Sequence, residues 1–328
     1  MYNNESLYEY DRLGKRGKPF ARYKKWKLNS LGFRGPELHK GSERIVCFGS
    51  SETFGLYEPE GQEFPRQIER YLNGDGAQRF EVVNAAYPGE TIVTATRRVP
   101  EIVEQLQPRF AIIYPSVANY IWLPWIKSAH DASKIAVPGK PPVFEWRVAE
   151  NARVVLKQIL PERLQTWLRQ REVSRAASEF GPPLDRVPDE NVAILHDDLV
   201  TLVSGLRSRG LEPVLVTHAT RFGSSVTPAD YPMLVAWRKF DPMLKEEGFV
   251  DMEQRMNAAI RAVAREEQVA LVDAANLIAP GPKNFADFSH FTAAGAERMG
   301  QEIASGLRAA VVGAPLSKDG VPITTSLR

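Results

Sequence analysis

Four short segments carry residues able to do chemistry together: Gly49-Ser50-Ser51-Glu52-Thr53, Asn84 to Gly89, Pro115 to Asn119, and Asp287-Phe288-Ser289-His290. In the last, a carboxylate and an imidazole stand three residues apart in a loop entering a helix, a spacing that lets both side chains face one way. Imidazole accepts and returns a proton near neutrality. A carboxylate on its other nitrogen holds the tautomer and offsets the charge that develops. Such a base needs a nucleophile, and Ser51 is the candidate. It follows the apolar run Ile45-Val46-Cys47-Phe48, which reads as a buried strand bounded by Gly49. In open α/β sheets the carboxyl end of a strand is where ligands bind, and a turn or helix start there can stabilise an oxyanion. Alone, His290 reads as a structural or exposed histidine and Ser51 as a helix-capping serine. Taken with Asp287, they read as acyl-transfer machinery.

The elements that must hold these segments follow a strand–helix rhythm. After the first strand, Pro65 to Asn73 reads as a helix, Phe80 to Val83 as a strand, Val93 to Leu106 as a helix and Phe110 to Tyr114 as a strand. Pro100 is expected to kink or restart the second of these helices. Further on, Val192 to Arg209 reads as a helix, Pro213 to Thr217 as a strand, Asp251 to Gln268 as a helix, Val269 to Val272 as the fifth strand and Thr292 to Val312 as the last helix. Strands separated by helices imply a parallel, doubly wound sheet. Tyr120 to Val192 breaks the rhythm with Trp122, Trp125, Phe144, Trp146 and Trp167, a proline cluster, and a helical pattern from Ala149 to Gln170. We read residues 120–191 as an insertion at the mouth of the sheet, its aromatics serving as local core or as a ligand pocket. Residues 1–43 form a basic arm and loop, residues 44–312 the main domain, and residues 313–328 a polar tail.

Composition narrows the classes. With 328 residues, 43% of them hydrophobic, the chain suffices for one large domain with an insertion or two small ones. The net charge of +2 makes no demand for nucleic acid as a partner. The window Arg12 to Lys27 holds eight basic residues and no acid, leaving −6 for the rest of the chain. A solvated arm lying on an acidic body accounts for it, as does a contact for an anionic substrate or membrane surface. The lone Cys47 sits in the strand and forms no intrachain disulfide. The start MYNNESLYEY shows no signal-peptide pattern, and the longest apolar stretch, Phe110 to Ile126, is broken by Pro115, Asn119 and Pro124. A soluble, cytoplasmic protein is the default expectation, though a trimmed exported protein would read alike.

In order, the four segments resemble the sequence blocks of the SGNH (GDSL) hydrolase superfamily over roughly residues 28–126 and 190–310. The first block, G-D-S-x-T, is matched by Gly49, Ser50, Ser51, Glu52 and Thr53. The second is matched by Asn84 and Gly89, the third by Asn119 and the fifth, D-x-x-H, by Asp287 and His290. The stretch NSLGFRGPE, from Asn29, is similar to a segment that precedes the catalytic block in one branch. The resemblance implies a three-layer α/β/α, flavodoxin-like fold with a five-stranded parallel sheet. It also implies hydrolysis of an acyl ester of a carbohydrate, lipid or small molecule through an acyl-enzyme, without a cofactor. It makes Ser51 the nucleophile, His290 the base and Asp287 its orienter. The oxyanion hole comes from the N–H groups of Ser51 and Gly89 and the side-chain amide of Asn119. Ser50 and Tyr120 depart from the pattern, each standing where the family has aspartate.

Other chemistries lack their motifs. There is no G-x-S-x-G elbow at Ser51, no phosphate-binding loop after a strand, and no metal-ligand spacing among the five histidines. His218 follows the fourth strand, where lining the site and a structural role both fit. Trp122 and Trp125 are candidates for substrate contact. An acyltransferase on the same machinery and a non-catalytic binding protein on this fold are the competing functions. The acyl group, leaving group and oligomeric state are not readable.

Overall fold

The apolar run before Ser51 becomes strand β5 (Glu43–Gly49) in a computed structural model that describes residues 4–74, 79–131 and 182–312. From Ile45 onward every residue of β5 is buried, as expected for a strand covered on both faces. It pairs in parallel with β6 (Phe80–Asn84) and β7 (Phe110–Tyr114). β8 (Glu212–Val216) and β9 (Ala270–Val272) extend the sheet, giving the order β6-β5-β7-β8-β9. The chain leaves β5 for β6 on one side and returns to β7 on the other, so the switch point opens between β5 and β7.

Alternate residues of each strand feed opposite layers. Ile45 and Cys47 join Val82, Ile112 and Val214 against α3 (Phe64–Asn73) and α10 (Ala293–Val312), through Phe64, Ile68, Met299 and Ile303. Val46 and Phe48 join Val83, Ile113 and Leu215 on the other face. There they pack against α4 (Ile92–Leu106), α6 (Asp189–Arg207) and α8 (Glu246–Glu266). This is the expected three-layer fold. Cys47 is a buried free thiol whose pKa burial pushes up, so it is inert.

Differences from expectation are local. α4 runs unbroken through Pro100, which lies on its exposed face, and the Thr91–Thr94 capping box starts it. α8 begins at Glu246, one turn earlier than its apolar period suggests. The short helix α7 (Tyr231–Arg238) has only a brief pattern and was not expected. The expected helix at 149–170, with Phe144, Trp146 and Trp167, and the tail from 313 lie outside the described residues. What is described of the insertion's start is a 3₁₀ turn at Val117–Tyr120 and α5 (Leu123–His130). Among the described residues no helix is long and apolar enough to cross a membrane.

The N-terminal segment is folded onto the body. A helical turn, α1 (Asn4–Leu7), precedes two hairpins, β1 (Tyr8–Asp11) with β2 (Gly14–Gly17) and β3 (Arg22–Tyr23) with β4 (Trp26–Lys27). Leu7, Tyr8, Trp26, Leu28 and Phe33 are buried in the core layer beside α4. Several of the basic side chains find partners: Arg16 pairs with Glu9, and Lys27 with Glu60. Arg34, buried, donates to the carbonyls of Phe54, Gly55, Glu58 and Pro59. It thereby satisfies the chain end that follows the Ser51 turn, where the helix α2 (Ser51–Phe54) leaves carbonyls unbonded. That is the physical content of the NSLGFRGPE stretch.

Candidate active site

Ser51 is the first residue of α2 and is partly exposed at the carboxyl end of β5. Gly49 makes the turn possible, because a Cβ there would meet Thr53 Oγ1 at 2.0 Å and the Tyr114 carbonyl at 2.8 Å. As the first helical residue, Ser51 has a backbone N–H with no intrahelical acceptor.

The base loop precedes α10. Asp287 Oδ1 accepts the backbone N–H groups of Ser289 (3.0 Å) and His290 (2.9 Å), so the loop closes on the carboxylate. The same carboxylate accepts from His290 Nδ1 at 2.9 Å. A carboxylate only accepts here, so Nδ1 carries the proton and Nε2 presents a lone pair. Nε2 is shielded from solvent and has no hydrogen-bond partner among the described residues. Burial lowers the His290 pKa, but the Asp287 bond and the charges of Glu52, Asp287 and Glu58 outweigh it, and the net shift is upward. Asp287 shifts downward: burial opposes this, and the His290 bond and the loop N–H groups overcome it. α7 steadies this loop from below, since buried Trp237 stacks on Phe288 at 4.7 Å. Tyr57 meets the His290 ring edge-on at 5.4 Å.

The residue that sequence reasoning missed is Glu52. It is 3% exposed, yet it accepts three hydroxyl groups from three segments. These are Ser51 Oγ at 3.2 Å, Ser116 Oγ at 3.1 Å and Ser289 Oγ at 3.2 Å. His218 Nε2 stands 3.7 Å from it, an ion pair rather than a hydrogen bond. His218 is itself fully buried, stacked on Tyr114 at 5.2 Å, with Nδ1 on Glu253 at 3.0 Å. Burial lowers its pKa, but Glu253 and Glu52 together push it up to about 10, so it is an imidazolium at neutral pH. Glu52 is held ionised: burial works against this, and His218 and His290 outweigh it. His218, 1% exposed, thus stands as a charged neighbour of Glu52. It also lines a cleft of about 380 Å³, together with Glu253, Asn257 and Arg261. The one signal in the sequence was the carboxylate immediately after Ser51, which becomes meaningful only once two other serines and a histidine converge on it.

The second and third segments meet at the same mouth. Tyr87-Pro88-Gly89-Glu90 is a tight turn closed by the Glu90 N–H on the Tyr87 carbonyl at 3.0 Å, with Gly89 at φ +78°. The Gly89 N–H donates to Ser50 Oγ at 3.0 Å. Ser50 thus has a definite contact, receiving that N–H beside Ser51. The Asn119 amide donates one hydrogen to the Glu90 carbonyl at 2.8 Å, leaving its second hydrogen for another acceptor. Asn119, Glu90, Ser116 and Gly49 line one narrow crevice at the switch point. Trp122 and Trp125 lie at the start of α5, 40% and 48% exposed, whereas the rings beside His290 belong to Tyr57 and Phe288. Among the described residues no group of three His, Cys, Asp or Glu is arranged to hold a metal ion.

Against known proteins, the sequence profile of the GDSL-like lipase/acylhydrolase family matches residues 47–298. No curated protein matches the chain. Similar solved structures include a lipase/acylhydrolase from Enterococcus faecalis, 14% identical, covering 82% of this chain and 96% of that one at a TM-score of 0.46. An acetyl xylan esterase from Geobacillus stearothermophilus is 15% identical, with 81% and 95% covered and a TM-score of 0.47. A psychrotrophic esterase from Pseudoalteromonas sp. is 9% identical, with 83% and 100% covered and a TM-score of 0.46. On the strength of the 47–298 match, the chain is an ester-hydrolysing serine hydrolase and belongs to the GDSL-like lipase/acylhydrolase family.

Proposed function

We propose that the protein cleaves an acyl ester with Ser51 as nucleophile, His290 as general base and then acid, and Asp287 as the residue that orients the imidazole. The observation that carries this reading is the His290 ring itself: Nδ1 is fixed on Asp287, and buried Nε2 is left without a partner. At rest the Ser51 hydroxyl donates to Glu52. The reaction requires a turn about its Cα–Cβ bond that carries Oγ to Nε2, in keeping with the loose catalytic hydrogen bonds of unliganded enzymes. As Oγ bonds to the carbonyl carbon, Nε2 takes its proton and the carbonyl oxygen becomes an oxyanion. The Ser51 N–H and the spare Asn119 N–H are the donors placed to meet it, and the Gly89 N–H, which rests on Ser50 Oγ, turns to it as the charge develops. Collapse breaks the ester C–O bond, and His290 returns the proton to the leaving alcohol. Water, deprotonated by His290, then attacks the acyl carbon; the C–Oγ bond breaks, His290 returns the proton to Ser51 Oγ, and the acid leaves.

The substrate class we favour is an ester with an apolar part. Exposed Tyr57 lies against His290, and the 72%-exposed Phe240 packs 5.9 Å from the buried Phe288 that also meets His290. Rings of this kind contact acyl chains, aryl groups and sugar faces alike. The test is labelling with a fluorophosphonate probe together with turnover of short-chain aryl esters. Labelling that is lost in Ser51→Ala, with hydrolysis lost in parallel, is the expected result. Hydrolysis by Ser51→Ala at the wild-type rate would overturn the assignment.

A further inference from the structure

We infer that Lys15, in the N-terminal hairpin, is a positioning residue for the oxyanion hole: it clamps the Pro88–Gly89 peptide in the orientation that aims the Gly89 N–H at the Ser50–Ser51 turn. The inference deepens, and rests on, the acyl-transfer reading of Ser51.

The turn at 87–90 has proline at its second position and a glycine of φ +78° at its third, which is the type II arrangement. Types I and II differ mainly by a half-rotation of the central peptide. Glycine at the third position adopts either, so the sequence of the turn does not lock the choice. The central peptide here is Pro88–Gly89. Its carbonyl accepts from Lys15 Nζ at 2.6 Å, and its N–H donates to Ser50 Oγ at 3.0 Å. The two bonds pull opposite ends of one peptide group. If the group flipped, a carbonyl dipole would face the position where negative charge develops, and the donor would be turned away.

The ammonium is held where it must be. Lys15 lies on β2 opposite Tyr10, and its own carbonyl accepts from Arg98 Nε at 3.0 Å. Arg98, on α4, also bonds the Gly14 carbonyl at 2.9 Å and pairs with Asp11 at 2.8 Å, so both strands of the hairpin are tied to the helix that follows the turn. The Nζ lies 5.3 Å from the Tyr8 ring and 5.9 Å from that of Tyr10. Burial lowers the Lys15 pKa, and the nearby Glu90 opposes that shift. A charged donor bonds a carbonyl more strongly than a neutral one. Lys15 precedes the residues matched by the family profile, so the contribution belongs to the arm and not to the shared domain.

The experiment compares Lys15→Met, which keeps much of the apolar stem, with Lys15→Gln, too short to reach the carbonyl but better suited to a polar setting, and with Lys15→Arg, which keeps a cationic donor. For each, kcat and KM are measured on an aryl ester, active sites are counted by saturating fluorophosphonate, and melting is followed. The Met and Gln variants are expected to lose about 10- to 100-fold in kcat per labelled site with KM changed by less than about threefold, short of the 10²–10³ cost of deleting a donor outright. The Arg variant should recover to within about fivefold of wild type, since its guanidinium restores a charged donor. A wild-type kcat per labelled site in Lys15→Met or Lys15→Gln, even with fewer labelled sites or a lower melting point, would leave Lys15 a purely structural residue and overturn the inference. Should Met fail to fold, the Gln variant decides alone. Full turnover by Ser51→Ala would bring down the acyl-transfer reading and the inference together, whereas a dead Ser51→Ala beside a fully active Lys15→Gln removes only the inference.

Discussion

Two histidines at the carboxyl edge of the sheet each have Nδ1 on a carboxylate: His290 on Asp287 at 2.9 Å, and His218 on Glu253 at 3.0 Å. Their second nitrogens part company. Neither has a hydrogen-bond partner among the described residues, but His218 Nε2 faces the Glu52 carboxylate at 3.7 Å as an ion pair, whereas among the described residues no carboxylate pairs with His290 Nε2. With one carboxylate on one nitrogen, an imidazole keeps a basic lone pair. With a carboxylate at each nitrogen, it holds both protons and becomes a fixed cation. The lesson is that a buried histidine–carboxylate pair does not identify a base. The neighbour of the other nitrogen does, and Glu52 supplies that neighbour to one histidine while taking the Ser51 hydroxyl beside the other.

The comparison is broken most decisively by exchanging the two rings. His290→Gln should lower aryl-ester turnover by about 10⁴-fold or more in a folded protein. His218→Gln should cost far less in turnover, and an equal loss in a folded His218→Gln would end the distinction. Asp287→Asn comes next, on the order of 10⁴-fold, because the amide admits the wrong tautomer at Nδ1.

Glu253→Gln tests the cation by stability. It leaves His218 short of one buried partner, and about 3–5 kcal/mol should disappear from the unfolding free energy in denaturant titration. The sign with pH follows from the raised pKa. The His218 contribution is complete below its unfolded value of about 6.5 and is lost as pH rises toward 10. Glu253→Gln should move the end of that decline to lower pH.

The smallest effect expected is on the acid limb of kcat/KM. In the proposed mechanism only neutral His290 takes the Ser51 proton, so activity is expected to fall as pH drops through a pKa lying above the ordinary imidazole value. The charges facing His290 are those of Asp287, Glu52 and Glu58. Glu58 is itself pushed up to about 7 by burial, so its charge at His290 changes over the same pH range. Removing one charge with Glu52→Gln should shift the limb to lower pH, with kcat within about tenfold of wild type. An unmoved limb would show that Glu52 does not act on the base.

Much of this was readable before the fold was known, because it is local. The five strands are short apolar runs, the inner ones buried on both faces, and α3, α4 and α10 carry a clear helical period, so their bounds fell within a residue or two. Asp287 and His290 are three residues apart, and one loop closes on that carboxylate. Helix α7 escaped notice because its eight residues bury only Leu234, Val235 and Trp237, too brief a pattern to count. The basic arm was read by charge, whereas its packing depends on Leu7, Tyr8 and Trp26, scattered among turns.

The sequence by itself determined the alternation of elements, the position of Ser51 at a strand end, and the pairing of Asp287 with His290, since each depends on neighbours within a few residues. Tertiary structure alone decided which carboxylate Ser51 leans on and which histidine is a cation. It also decided what holds the Gly89 peptide. Those outcomes depend on Ser116, Ser289, Glu253 and Lys15. All four come from segments distant along the chain, and burial turns their proximity into strong electrostatics only once the sheet has brought them together.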